Sequence, residues 1–170
     1  KENFAIRQYS DIEKGYILNK LISKGIKEET IIDLYMPLLE LERSKKIFDD
    51  LASVKKISPG LQKQLHQSKV PVKVFQVFCS WEDENQKAAE KFFAVTRPGV
   101  NKWRDLLGLI EEISRRDGIS PKDIFSSPET QETLKEKNLT PAQKYNRIHE
   151  DFRNKRFPVF SDLKKQVACA

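Results

Sequence analysis

Four dipeptides constrain this chain more than any other feature in it. Ser58-Pro59, Ser120-Pro121, Ser127-Pro128 and Thr140-Pro141 each place a hydroxyl one residue ahead of a proline. A hydroxyl there accepts a hydrogen bond from the unpaired N–H groups of a helix's first turn. Proline at the first helical position gives up only an N–H that would have had no intrahelical partner. A fifth start, Ser10-Asp11-Ile12-Glu13, has the spacing of a capping box, in which Ser10 accepts from the third backbone N–H and Glu13 reaches back. Gly25 and Gly118 are placed to end helices. A chain punctuated in this way reads as a succession of short helices. The expected fold is all-α, with eight to ten of them.

Apolar spacing fills in the helices. Behind Ser10, Ile12, Tyr16 and the Leu21/Ile22 pair recur at roughly helical intervals. A second helix is expected from Lys27 to Tyr35, with Ile31, Leu34 and Tyr35 inward and Pro37 breaking or kinking it. A third is expected to start near Ser44 and carry Ile47, Phe48, Leu51 and Val54 on one stripe. The cleanest face belongs to 101–116, where Trp103, Leu106, Leu107, Ile110 and Ile113 line up behind an Asn101 cap. Val70–Phe78 is rich in strand-prone residues, but no partner strand is visible, so a helix is expected after Pro71. The turn composition of Thr96-Arg97-Pro98-Gly99 suggests two parts. A helical domain over 1–97 would hold a helix-turn-helix, and a smaller helical lobe would follow over 98–170.

Composition narrows the function classes. The 170 residues carry a net charge of +6, with 33% charged and 38% hydrophobic side chains. No apolar run of membrane-spanning length occurs, so no membrane partner is expected. No charged start leads into an apolar stretch, so no secretory leader is expected, and a start at Lys1 suggests a piece of a longer protein. Cys79 and Cys169 match neither a metal-ligand spacing nor a disulfide framework, which fits a reducing cytoplasm. The six scattered glycines build no phosphate-cradling loop, and no cofactor is expected.

Chemistry has few candidates. His66 and Cys79 could form a nucleophile pair, but Cys79 sits in an apolar run where an inert thiol is the plainer reading. The acids at Asp49-Asp50, Glu82-Asp83-Glu84 and Glu111-Glu112 are sequence neighbours. Adjacent positions on a helix diverge, so they do not converge on one metal. Neither a catalytic nor a metal site is expected. Binding to nucleic acid has two candidate surfaces. One is the start of the third helix, with Arg43, Ser44, Lys45 and Lys46 suited to phosphates or base edges. There Glu40, Glu42, Asp49 and Asp50 offset part of the attraction, and the connection from Met36 to Arg43 is longer than usual. The other is the basic stretch Lys144, Arg147, Arg153 and Arg156, opposite an apolar face of Tyr145, Ile148 and Phe152.

The order of motifs carries a resemblance. Ser10-Asp11-Ile12-Glu13-Lys14-Gly15 opens a helix, and Gly25-Ile26-Lys27-Glu28-Glu29 opens the next. Leu38-Leu39-Glu40-Leu41, Leu61 to Leu65 and Gln67-Ser68-Lys69-Val70-Pro71 follow, and a helix starts at Asn101. Across roughly residues 7–115 this resembles the central helix-turn-helix region of ParB-type partition proteins. The resemblance implies a bacterial, nucleoid-associated, non-enzymatic module. It would bind duplex DNA through Arg43, Ser44, Lys45 and Lys46, and it would often dimerise. The N-terminal nucleotide-binding or nuclease-like domain of many such proteins has no counterpart in residues 1–9. The rival expectation is a protein-interaction or oligomerisation module that uses Val70–Phe78 or Phe157–Phe160 as its contact surface.

Overall fold

The computed structural model describes residues 8–156, all of whose regular elements are helical. Cys169 and the Phe157–Phe160 segment lie outside the described residues. Helix α1 is Asp11–Ser23. Helix α2 runs in three pieces, Glu28–Thr30, a π turn Ile31–Tyr35 and Met36–Leu38. Helix α3 is Lys45–Ala52, extended by the 3-10 turn Ser53–Lys56. Helix α4 is Pro59–Gln67, and α5 is Val72–Phe75 followed by the 3-10 turn Gln76–Ser80. Then come α6 (Asp83–Thr96), α7 (Val100–Asp117), α8 (Pro121–Phe125), α9 (Pro128–Lys135) and α10 (Pro141–Arg156). No described helix is long and apolar enough to cross a membrane.

All five hydroxyl starts are helix starts. Ser10 and Glu13 close the capping box. Ser58, Ser120 and Ser127 each accept from the backbone N–H three residues on, as Thr140 does from Gln143. Asn101 is not a cap: α7 begins one residue earlier, with Gly99 at the N-cap. The chain divides into two compact units between Ser80 and Trp81. The turn at Thr96–Gly99 therefore falls inside the second unit, because α6 packs against α8. That turn carries Arg97 in the left-handed region, with φ 43°.

In the first unit, Leu18 of α1, Ile31 and Met36 of α2, and Phe48 and Leu51 of α3 form one buried cluster. Burying such a side chain contributes about 1.5–3 kcal/mol. Gly15 makes the α1–α3 approach possible, since a Cβ there would sit 2.6 Å from the Leu51 carbonyl oxygen. Helix α2 departs from the sequence expectation. Pro37 has no N–H, and its ring would meet the carbonyl four residues back. The helix widens ahead of it, with the Met36 N–H donating five residues back to the Ile31 carbonyl. The inward positions become Ile31 and Met36, while Leu34, expected inside, is 62% exposed. Tyr16 likewise points outward and donates its hydroxyl proton to Gln62 Oε1.

The second unit is built around aromatic rings. Phe93 stacks on Trp103 with centroids 3.6 Å apart, and Phe92 lies 5.0 Å from Phe125. The α7 face expected from the sequence is buried throughout, from Trp103 to Ile113. Tyr145, Ile148 and Phe152 of α10 are buried as well.

Candidate nucleic-acid interface

Helices α2 and α3 with the connection between them place the first expected site. Helix α2 ends as a Schellman turn: Leu41 N–H donates to the Met36 carbonyl, Glu40 N–H to the Pro37 carbonyl, and Glu40 takes φ 56°. The chain then bends at Arg43, where the Ser44 N–H donates to the Glu42 carbonyl, and reaches Ser44, whose Oγ accepts from the Ile47 N–H and starts α3. Phe48 and Leu51 anchor α3 to the unit's core. Its first turn faces solvent, where the positive end of the helix dipole favours anions.

The four predicted residues do not play equal parts. Ser44 is a cap, and its side chain is occupied by that role. Lys45 Nζ lies 2.5 Å from Glu28 of α2 and 2.9 Å from Asp49 one turn on, and 5.1 Å from the Phe48 ring centroid. The hydrogen-bonded carboxylates, Glu28 first and Asp49 second, push its pKa above the ordinary lysine value. Its charge is held at home. Arg43 and Lys46 are exposed and flank that cluster. Asp49, expected to repel phosphates, is in part neutralised by Lys45. Asp50 accepts from Gln76 Nε2. Two further exposed lysines, Lys55 and Lys56, follow in the 3-10 turn.

The second predicted stretch is largely self-paired. Lys144 Nζ donates to the Leu134 carbonyl at 2.6 Å, and Arg147 Nη1 to Glu136 at 3.0 Å. Arg156 Nη2 lies 2.7 Å from Glu112, and its carbonyl accepts from Arg116. Arg153 is exposed. The expected cationic face is thus mostly a set of ion pairs and caps, because α9 and α7 bring carboxylates and a free carbonyl to it.

The nucleophile candidates are not brought together. Cys79 Sγ is 3.2 Å from Ser53 Oγ, and burial pushes its thiol pKa up. His66 Nδ1 is 2.8 Å from Ser10 Oγ in the capping box of α1. No group of three or more potential metal-ligating side chains converges among the described residues.

No family model, no curated protein and no solved structure matches this chain. The reading of the site therefore rests on its geometry.

Proposed function

We propose that the first unit binds duplex DNA as a helix-turn-helix module of the ParB type, without chemistry of its own. Helix α2 would be the supporting helix and α3 the one that meets the groove. A single observation carries this reading. Helix α3 is fixed from behind by Phe48 and Leu51, while its Ser44-capped first turn stays exposed between Arg43 and Lys46. A rigid helix whose open end carries cations is the arrangement that positions a protein on phosphates. Lys45 serves as a brace between α2 and α3 in this reading, and α10 has no part in it, since three of its four candidate cations are occupied. Such a module would act on the bacterial nucleoid in the cytoplasm, as a homodimer.

The test is a salt titration of binding to a random-sequence duplex. The log–log slope should approach about −0.9 per neutralised phosphate. Arg43→Glu with Lys46→Glu should weaken binding at least ~10-fold and flatten the slope by about two phosphates. Lys45→Ala should change DNA affinity far less. Unchanged affinity in the double reversal, or no binding by the parent at low salt, overturns the proposal.

The second reading is the interaction module, though not through Val70–Phe78 as expected, because Val70, Val74, Phe75 and Phe78 are core residues; one observation favours it on another surface: Leu34 and Leu38 of α2 are 62% and 78% exposed. A concentration-dependent mass that Leu38→Lys abolishes, with no DNA binding by the parent, would establish it instead.

A further inference from the structure

The second unit carries a groove of about 660 Å³, walled by α6 on one side and by α8 and α9 on the other. Its floor is apolar. Phe92 and Phe125 lie buried beneath it, and Val95 and Leu134 reach its surface. Its rim is cationic. Lys122 of α8 pairs with Glu84 of α6, Nζ to Oε2 at 2.6 Å, so those two charges cancel and tie the walls together. Lys87, Lys91 and Lys135 also line the groove. They are exposed and have no carboxylate at ion-pair distance among the described residues. The wall on α6 runs from Glu84 to Val95, about 16 Å at 1.5 Å per residue.

We infer that this groove docks an acidic amphipathic helical segment of a partner protein, with apolar side chains on Val95 and Leu134 and carboxylates against Lys87, Lys91 and Lys135. Charge and shape select this occupant. Three exposed lysines outside any ion pair among the described residues border an apolar floor, and only part of the Glu84 field reaches Lys87 beside its bond to Lys122; that is the complement of a helix with an apolar stripe flanked by glutamates or aspartates. The length of the wall matches about three turns of such a helix. Nucleic acid suits the rim but not the floor: its phosphates gain nothing from Val95 and Leu134, and the Phe92 and Phe125 rings are buried too deeply to stack on bases. A single small anion suits it no better. Lys87 and Lys91 are one helical turn apart and Lys135 stands on the other wall, so the charge is spread along the groove. The apolar contacts supply affinity, while the lysines supply orientation and discrimination against basic partners.

The experiment uses the full chain and a fluorescein-labelled helical peptide of about 16 residues, with leucines at i, i+3, i+4 and i+7 and glutamates beside them. Anisotropy at ~100 mM salt should show saturable binding. Lys91→Glu with Lys135→Glu should weaken it at least ~10-fold, while Lys63→Glu in the first unit should leave it unchanged. Amide shifts should move at Val95 and Leu134. Circular dichroism of the double variant should match the parent, and the conservative pair Lys91→Arg with Lys135→Arg should keep binding. Three results overturn the inference. One is no binding up to ~1 mM peptide. Another is equal binding of a scrambled peptide of the same composition, which would mean charge alone. The third is displacement of the peptide by random duplex whose own affinity falls with the same two reversals, which would make the groove a nucleic-acid surface.

Discussion

In the first unit the helices interrupt themselves: α2 passes through a π turn, and α3 and α5 run into 3-10 turns. In the second, α6, α7 and α10 extend for 14, 18 and 16 residues without a change of type. The interiors differ accordingly. Irregular turns leave carbonyls that their own helix does not satisfy, and buried ones must find a donor elsewhere. Gln62 Nε2 donates to the Ile57 carbonyl at 2.6 Å and adds a second donor, at 2.9 Å, to the Val54 carbonyl, which also accepts the Ile57 N–H. Asn19 bonds the Ala52 carbonyl, and Asp11 accepts the Val72 N–H across 61 residues. The second unit fills its centre with the rings of Phe92, Phe93, Trp103 and Phe125, which contact one another. Both units bury polar side chains, Gln62 in the first and Gln86, Thr96, Thr130 and Thr133 in the second; Gln62 bonds carbonyls of a neighbouring turn, whereas Thr96 bonds the Phe92 carbonyl of its own helix.

The largest test of that contrast is Trp103→Ala. It removes the ring stacked on Phe93 and should destabilise the second unit by about 3–5 kcal/mol, read by urea unfolding. The first-unit counterpart is Gln62→Leu, which keeps the bulk, removes the side-chain donor to the Ile57 carbonyl and takes the acceptor from the Tyr16 hydroxyl, while the Val54 carbonyl keeps the Ile57 N–H. A loss of about 1–3 kcal/mol is expected, and a neutral result would break the comparison. A smaller effect should come from Lys69→Gly. Lys69 ends α4 in a Schellman turn at φ 50°. Glycine relieves the left-handed cost but adds chain entropy, so a net gain of up to about 1 kcal/mol in thermal stability is expected.

The smallest effect concerns pH and the second unit alone. Burial, opposed by Asp105, holds the His149 pKa below its ordinary 6.5. The unfolded chain therefore takes up the proton first. The stability His149 contributes is complete above pH 6.5 and declines as pH falls below it, until its lower native pKa is passed. His149→Gln should lose less stability than the parent between pH 7 and pH 5, measured by chemical denaturation at each pH.

Legibility followed the range of the interaction. The α1 capping box, the four hydroxyl–proline starts and the Gly118 stop could be read because donor, acceptor and backbone conformation lie within a few residues. Two helix ends could not. Glu40 and Lys69 adopt the left-handed conformation that glycine takes at Gly25 and Gly118, and their side chains do not announce it. At the candidate site, the cap role of Ser44 and the exposure of Arg43 and Lys46 were within reach of local reading. The loss of Lys45 to Glu28 was not, since those residues meet only when α2 and α3 pack together.

Capping and apolar periodicity are local, so residue order alone was enough to make the described part of the chain all-helical and to place most of its helix starts. Packing, by contrast, set which face of α2 turns inward, since the π turn ahead of Pro37 resets the register and puts Leu34 and Leu38 in solvent. It alone decided which cations remain available, because the carboxylates that occupy Lys45, Lys122, Arg147 and Arg156 include partners many residues away. It also drew the boundary at Ser80 rather than at Arg97, because α6 buries its rings against α7 and α8.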